Sequence, residues 1–283
     1  MLRRTPPAII REWTEYCAKH GAELDGHTEP LDSPYVIEKA TEVGQILALI
    51  GNINASLWYD KVEFTSFPKL ASFCGLRPGD VAFDIGAHHG IWSLMFERLV
   101  GPHGLVVAFE PFPVHAKMAE LNFELNASEV QLYRCAIGTQ CQRLIVKRGS
   151  DSLSTQTPPP PDQIIEIEVC QLHDFMHLAP DVLKIDIEGA EISVLPAVAE
   201  LLPSIRAIFV EFHPPFFGNF TDQPVEAAIR MMQIIRRNFP HIWIEHANLG
   251  WDAAKDPDFI PTQMGSCLYA SKQNVNSRFQ SAG

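Results

Sequence analysis

Basic residues are scarce in this chain. It holds 22 Lys and Arg against 34 Asp and Glu, which gives a net charge of −12 over 283 residues. Proteins that bind nucleic-acid backbones do so through clustered Lys and Arg. The nearest approach to such a cluster is Ile234–Asn238, which is typical of the solvated face of a helix. We therefore expect no nucleic-acid partner.

Long apolar runs and cysteine motifs are also missing. The longest early apolar run, Ile46–Ile53, is far too short to cross a bilayer, and Pro7–Ile10 is too short for the apolar core of a signal peptide. No two of the six cysteines have C-x-x-C spacing, which favours buried thiols in a reducing compartment. The cysteines are Cys17, Cys74, Cys135, Cys141, Cys170 and Cys267. These absences predict a cytoplasmic protein with no membrane span and no disulfide framework.

One β-α-β unit carries the clearest functional signal. The apolar run Val81–Ile85 leads into a turn with Gly86 and Gly90, and a second apolar run ends at Glu110. Glycines at the first turn and a carboxylate at the tip of the second strand are the arrangement that holds a nucleoside. A dinucleotide fingerprint needs G-x-G-x-x-G, but position 88 is His. The pattern therefore favours S-adenosylmethionine (SAM) over NAD.

Apolar runs alternate with helical patterns over the middle of the chain. The expected strands are Val81–Ile85, Leu105–Glu110, Val130–Ala136, Val182–Ile187 and Ala207–Phe212. The expected helices between and after them are Ile91–Val100, Pro113–Asn126, Ala190–Leu202 and Pro224–Asn238. Two final strands, His241–Glu245 and Ser266–Ala270, are placed to close the sheet edge. Continuous apolar strands separated by helices predict an α/β fold with a doubly wound, mostly parallel Rossmann-like sheet.

The remaining segments predict an appendage and an insertion. Residues 1–62 read as a helical N-terminal appendage, with helices over 8–20 and 35–49, and residues 63–283 as the main domain. A further short helix is expected over Phe64–Cys74. Two strands, Arg143–Lys147 and Ile164–Val169, flank a loop over 149–162 with four consecutive prolines, and such long loops are usually mobile or functional.

Five motifs in compact order resemble the FkbM-type SAM-dependent methyltransferases. They are DIGAHHG (Asp84–Gly90), AFEP (Ala108–Pro111), CAIG (Cys135–Gly138), LKIDIEGAE (Leu183–Glu191) and VEFHP (Val210–Pro214). The resemblance implies a class I methyltransferase sheet of seven strands, the last antiparallel, and O-methylation of a hydroxyl on a natural product, sugar or lipid. Two features depart from the family pattern. His88 stands where Asn is common, and Pro196 lies inside a predicted helix, which should kink or start later.

Cofactor contacts are expected along the carboxyl edge of the sheet. Glu110 is placed for the ribose hydroxyls, and the turn around Gly86 and Gly90 for the methionine part. Phe112 fits either adenine stacking or packing under the next helix, and Ser152 fits either a cofactor hydrogen bond or a solvated loop. The resemblance adds adenine contacts at Ala136 and Ile137. The full expected cofactor set is Asp84, Gly86, Ala87, His88, Gly90, Glu110, Pro111, Phe112, Ala136, Ile137, Ser152 and Asp186.

The expected catalytic residues are Lys184, Asp186, Glu188 and His213. Strand alternation puts the first three on one side of a strand, where charges are costly unless paired or at the open end. His213 has the ordinary pKa range of a general base for the acceptor hydroxyl. A purely structural network of salt bridges is the competing interpretation.

Several functions compete with the leading one. The adjacent His88 and His89 lack the i, i+4 spacing of a zinc motif, so no metal site is expected. The leading hypothesis is O-methylation of a small-molecule or glycan acceptor by a chain able to form homo-oligomers. N-methylation differs only in the acceptor. A catalytically silent SAM-binding or partner-binding module, or less readily an NAD-dependent oxidoreductase, are the alternatives.

Overall fold

An eight-stranded sheet forms the centre of the molecule, with β12-β11-β13-β10-β9-β3-β4-β5 as its strand order. Its strands are Val81–Ile85 (β3), Leu105–Phe109 (β4), Gln131–Tyr133 (β5), Val182–Ile185 (β9), Ala207–Phe212 (β10), His241–His246 (β11), Gly250–Ala253 (β12) and Ser266–Ser271 (β13). The computed structural model describes residues 4–21, 24, 28–41, 43–62, 75–147, 164–246, 250–253 and 266–273.

The sheet is mostly parallel, as the sequence predicts. β3 pairs in parallel with β4 and β9, and β10 pairs in parallel with β9. β13 runs antiparallel to both β10 and β11, which gives the seven-stranded arrangement with one reversed strand. The eighth strand, β12, was not predicted; it pairs antiparallel with the edge strand β11. The α/β fold class is confirmed, with this one added strand.

Helices cover both faces of the sheet. They are Pro6–His20 (α1), Ile91–Val100 (α2), Pro113–Asn126 (α3), Glu191–Ala197 (α4) and Pro224–Asn238 (α5). Helices α2, α3 and α5 have the predicted bounds. Helix α4 was predicted to continue to Leu202 but ends at Ala197, and Pro196, which has no N–H to donate to the carbonyl four residues earlier, lies in its last turn. Among the described residues, no helix has the length and apolar character needed to cross a bilayer.

A second, three-stranded sheet lies beside the main one, in the order β6-β8-β7. Its strands are Ala136–Gly138 (β6), Gln142–Lys147 (β7) and Ile164–Gln171 (β8). The single strand predicted over Val130–Ala136 is therefore wrong: its first half is β5 of the main sheet and its end begins β6. The two predicted strands around the insertion are confirmed as an antiparallel pair. The proline-rich loop between them lies outside the described residues.

The predicted helix over 35–49 is wrong, because this segment is a β-hairpin. Pro30–Thr41 (β1) pairs antiparallel with Gly44–Asn52 (β2), and Gly44 turns the chain at φ +107°. Residues 46–52 of β2 are all buried, a pattern in which no helical stripe can be distinguished. Packing decides the outcome here, since α1 and α3 both contact the hairpin. Helix α1 is confirmed, the predicted helix over Phe64–Cys74 lies outside the described residues, and the division at residue 62 stays a prediction.

Two asparagines of α3 fasten the hairpin to the main sheet's helical layer. Asn126 accepts a hydrogen bond from Leu47 N at 3.0 Å and returns one to Leu47 O at 2.8 Å. Asn122 accepts from Leu49 N at 2.8 Å and donates to His89 O at 2.8 Å. The side-chain amides thus bond backbone groups of β2 that a neighbouring strand would otherwise bond. Asn122 also connects the hairpin to the glycine turn through His89 O.

This geometry makes Asn122 a stability-determining residue. Asn122→Ala would leave the buried Leu49 N–H and His89 carbonyl without these partners, so we expect a loss of about 2–4 kcal/mol in the free energy of unfolding. Urea denaturation measures it. The matched control is Asn238→Ala on α5, whose amide only donates to Ile234 O at 2.9 Å; it should cost under about 1 kcal/mol. Equal losses in both variants would contradict the role of Asn122.

Candidate active site

The carboxyl ends of four neighbouring parallel strands meet at one edge of the sheet. β3 ends next to Gly86, β4 next to Glu110, β9 next to Asp186 and β10 next to His213. This edge is where open α/β sheets bind their ligands. Gly86, Glu110, Asp186 and His213 are therefore brought to one edge of the sheet, whereas Ser152 lies outside the described residues.

Close packing of two strand ends requires the first glycine of the turn. Gly86 adopts φ +83°, and a Cβ there would stand 1.7 Å from the carbonyl oxygen of Asp186. Gly90 adopts φ +76°, and its Cβ would meet Phe123 Cε1 at 2.6 Å. His88 between them also has a left-handed backbone, at φ +52°. No larger residue fits either glycine position without moving the turn.

Glu110 holds the glycine turn through its side chain. Its Oε2 accepts a hydrogen bond from His88 N at 2.8 Å, and its Oε1 accepts one from Phe112 N at 2.9 Å. The residue is 4% exposed. A carboxylate has about four acceptor positions, which suits it to bonding several donors at once.

The predicted adenine-side residues belong to buried clusters. Phe112 packs with Ala136 and with the inner faces of the three-stranded sheet, and its ring meets His115 edge-on at 6.0 Å between centroids. Ile137 packs instead in the core under the main sheet. The packing interpretation of Phe112 thus has direct contacts in its support, and its adenine role stays a prediction.

A buried ammonium ties the ends of β3 and β9 together. Lys184 Nζ lies 3.0 Å from Asp84 Oδ1 and 3.3 Å from Asp186 Oδ2, and it donates to Gly86 O at 2.8 Å. Burial alone lowers the pKa of Lys184, but Asp84 and Asp186 outweigh burial and raise it. Lys184 is 1% exposed, so it acts by holding these groups and has no open path to a substrate.

His213 is surrounded by carboxylates. Its Nδ1 lies 2.7 Å from Glu191 Oε1, which is within hydrogen-bond distance. Its Nε2 lies 3.8 Å from Asp186 Oδ1, 3.7 Å from Glu188 Oε1 and 3.9 Å from Glu211 Oε1. The sequence placed Asp186, Glu188 and His213 together but gave no role to Glu191. Its only signal was its place in the LKIDIEGAE motif, at the start of a helix.

The carboxylates change the charge state of the imidazole. Burial lowers the pKa of His213, but the hydrogen bond to Glu191 and the charges of Asp186, Glu191 and Glu188 raise it to about 10. Burial and the negative charge of Asp186 raise the pKa of Glu211 to about 8. In the chain alone, His213 is therefore protonated at neutral pH, which opposes the general-base role that the sequence predicts for it.

Three imidazoles form a second cluster behind the glycine turn. The rings of His88 and His89 stack with centroids 3.8 Å apart, whereas the sequence suggested that adjacent turn histidines point apart. His89 Nε2 lies 3.1 Å from His115 Nδ1. Asn54 Nδ2 donates to His88 Nε2 at 2.9 Å, and the Tyr59 hydroxyl contacts His88 Nδ1. Burial lowers the pKa of His88 and His89, so both rings are neutral.

Comparison with known proteins finds one family and several relatives. Residues 84–242 match the Methyltransferase FkbM domain. The chain is 29% identical over 139 residues to Methyltransferase 1 of Beauveria bassiana (strain ARSEF 2860), a match covering 40% of this chain and 55% of that protein. It thus spans little more than half the length of that relative. It is 27% identical over 208 residues to 31-O-demethyl-FK506 methyltransferase FkbM of Streptomyces tacrolimicus, covering 60% and 79% respectively.

A solved structure was also found to be similar to this chain. The crystal structure of Methyltransferase FkbM from Methylobacillus flagellatus KT aligns with a TM-score of 0.42 and 18% identity. The alignment covers 68% of this chain and 43% of that one.

The packing of Gly86 generates a prediction. Gly86→Ala should weaken binding of S-adenosylhomocysteine at least ~10-fold and lower the free energy of unfolding. The new methyl group would clash with the Asp186 carbonyl, and alanine would be strained at this positive φ. The matched control is Gly101→Ala, with φ +67° but nothing within 4 Å of the added Cβ. This control introduces only the backbone strain, which should lower the free energy of unfolding by about 1–2 kcal/mol, and it should leave the affinity for S-adenosylhomocysteine unchanged. Calorimetric titration and thermal unfolding of both variants decide; unchanged affinity in Gly86→Ala would contradict the prediction.

Proposed function

The chain belongs to the FkbM methyltransferase family, and from that premise we propose that it transfers the methyl group of SAM to a hydroxyl of a small-molecule or glycan acceptor. The family match over residues 84–242 supports methyl transfer. The observation that carries the cofactor assignment is the buried Glu110 carboxylate, which faces the glycine turn from the tip of the next strand.

The donor site lies between the ends of β3 and β4. Glu110, which accepts hydrogen bonds from His88 N and Phe112 N, would also accept the ribose hydroxyls. The glycine turn that begins at Gly86 would face the methionine part of the cofactor. Asp84 serves this site indirectly, because Ser93 Oγ donates to its Oδ2 at 2.6 Å and Lys184 faces its other oxygen.

The acceptor site lies next to it, at the ends of β9 and β10. In the reaction an acceptor oxygen forms a bond to the methyl carbon as the sulfur–carbon bond breaks. S-adenosylhomocysteine leaves, and the hydroxyl proton passes to a base. Alignment of oxygen, carbon and sulfur supplies most of the acceleration, and a base supplies about 10²–10⁴-fold. Asp186 and Glu188 flank this position with their side chains partly exposed, which favours contact with the acceptor.

The base assignment needs a condition that the sequence did not foresee. His213 can take a proton only when its ring is neutral, whereas its pKa of about 10 keeps it protonated. Glu191 holds the Nδ1 proton, so Nε2 is the nitrogen that faces the acceptor side. The general-base role of His213 therefore stays a prediction. It requires that Nε2 lose its proton and that another cation near the carboxylates take over the positive charge of that proton.

An oxygen acceptor is favoured over a nitrogen acceptor by one relative. The Streptomyces tacrolimicus protein is named for 31-O-demethyl-FK506, so its name places the methyl group on oxygen. The crowded carboxylates around His213 favour catalysis over a silent binding module, since buried charges are costly to retain without use. Cytoplasmic location, homo-oligomer formation and the lack of a nucleic-acid partner stay predictions from the sequence.

Glu110→Gln tests the cofactor assignment. The variant keeps the shape of the side chain but removes the charge that attracts ribose hydroxyls, so S-adenosylhomocysteine should bind about 10- to 100-fold more weakly, equivalent to ~1.5–3 kcal/mol. Calorimetric titration of the native chain and the variant, run beside NAD, gives the affinities. The matched control is Glu226→Gln on the exposed surface of α5, which should bind as the native chain does.

The outcomes separate the rival functions. Binding of S-adenosylhomocysteine without NAD, weakened by Glu110→Gln alone, supports the proposal. Tight NAD binding would favour the oxidoreductase, and native-like affinity in Glu110→Gln would remove the ribose contact.

A further inference from the structure

The Nε2 atom of His213 faces three carboxylate oxygens without bonding to any of them. The distances to Asp186 Oδ1, Glu188 Oε1 and Glu211 Oε1 are 3.7–3.9 Å. A charge-assisted hydrogen bond would bring such atoms to about 2.7–2.9 Å. The side chain is 4% exposed, and among the described residues its hydrogen bond is made by Nδ1 to Glu191 and not by Nε2.

This spacing matches the separation of atoms that share a metal ion. Ligands about 2.0–2.2 Å from a common ion lie ~3–4.4 Å from each other, depending on the angle at the ion. Ligand atoms of Asp186, Glu211 and His213 all lie within 4.8 Å of one another. The distances of His213 Nε2 from Asp186 Oδ1 and Glu211 Oε1, 3.8 and 3.9 Å, are too long for hydrogen bonds and fall in this range.

The supporting contacts orient each ligand atom toward that gap. Glu191, which is fully buried, takes the Nδ1 proton of His213 and so directs Nε2 inward. A carboxylate on the far nitrogen is the usual outer partner of a metal-binding histidine. Lys184 holds Oδ2 of Asp186, which leaves Oδ1 facing His213 Nε2.

The charge around the gap also suits a cation. Four carboxyl groups, those of Asp186, Glu188, Glu191 and Glu211, lie within 4 Å of the His213 ring nitrogens, and the Lys184 ammonium is shared between Asp186 and Asp84. Such crowding of carboxyl groups in a buried region is unfavourable unless protons or a cation offset their charge.

We propose that Asp186, Glu211 and His213 bind a divalent transition-metal ion at the acceptor side of the crevice. The ligand set of one imidazole and two carboxylates favours Mn²⁺, Fe²⁺ or Zn²⁺ over Mg²⁺ or Ca²⁺, which prefer oxygen alone. This reverses the expectation of no metal, which rested on the spacing of His88 and His89. It also rests on the proposed function: the ion would bind the acceptor hydroxyl at an open coordination position and lower its pKa.

The three-histidine cluster is the competing place for an ion. Its ligand atoms also lie within 4.8 Å of one another. There, however, both ring nitrogens of His88 already contact Asn54 and Tyr59, and His89 and His115 are bonded to each other. Although His89 Nδ1 is buried without a hydrogen-bond partner among the described residues, an ion bound by all three rings would have to displace Asn54 or Tyr59 from His88. His213 Nε2 has no such hydrogen bond to displace.

Mn²⁺ titration of the full chain tests the proposal. The chain is first freed of metal with a chelator, and the electron paramagnetic resonance signal of free Mn²⁺ then reports binding. We expect one ion per chain in the native protein. His213→Gln and Glu211→Gln should each weaken binding more than ~10-fold, and Glu191→Gln about 10- to 100-fold, because it orients the histidine. His103→Gln, on an exposed turn, is the matched control and should bind as the native chain does.

Three results would overturn the proposal. They are no Mn²⁺ binding by the native chain, unchanged binding in both Glu211→Gln and His213→Gln, and loss of binding in His115→Gln alone, which would put the ion in the histidine cluster. Circular dichroism shows whether each variant folds, and Glu211→Gln, at a side chain 30% exposed, serves if His213→Gln does not fold. S-adenosylhomocysteine binding by the metal-free chain separates the two ideas. If S-adenosylhomocysteine binds and Mn²⁺ does not, only the metal-site proposal is rejected. If S-adenosylhomocysteine does not bind, the proposed function is rejected.

Discussion

The buried Lys184 ammonium is the interaction on which the crevice depends. It bonds to Gly86 O and faces Asp84 and Asp186, so one side chain joins the ends of two neighbouring strands. Each partner needs the others: without the ammonium, the carboxylates would be buried and unpaired. The same contact explains why position 86 must be glycine, since the Asp186 carbonyl fills the space that a Cβ would take.

The glycine turn is fixed from several directions at once. Glu110 bonds to the backbone of His88, Asn122 bonds to the carbonyl of His89, and Tyr59 and Asn54 contact the ring of His88. The segment after the N-terminal hairpin therefore reaches the same turn as the cofactor-side carboxylate. A turn held in this way is organised before a ligand arrives, which lowers the entropy that binding has to overcome.

The donor and acceptor halves of the crevice differ in their charge. Around Glu110, backbone N–H groups neutralise a single carboxylate. Around His213, several carboxylates crowd one imidazole, which raises the pKa of that imidazole to about 10. The first half is electrostatically satisfied as it stands, and the second is satisfied only by protons or a cation. That difference supports our proposal, which puts the chemistry on the β9–β10 side and the recognition of the nucleoside on the β3–β4 side.

The sequence by itself determined the elements whose signals are local. Apolar periodicity and end signals gave Ile91–Val100, Pro113–Asn126 and Pro224–Asn238 to the residue, and β3 and β10 as well. The sheet rule and the family resemblance placed Asp186 at the carboxyl edge, because neighbouring parallel strands end together. The strand before it was predicted to reach Ile187 but ends at Ile185. These inferences need only the residues within one element and its turns.

Only the tertiary structure decided the rest. The hairpin replaced a predicted helix because β2 is buried between two helices, and burial on all sides erases the period that separates strand from helix. Glu191 became the partner of His213, 22 residues away, through the crossing of α4 and β10. The His88–His89 stack depends on a left-handed backbone at His88 that the sequence does not announce. In each case the outcome is decided by contacts between residues that are distant in the chain, or by a backbone conformation that only such contacts stabilise.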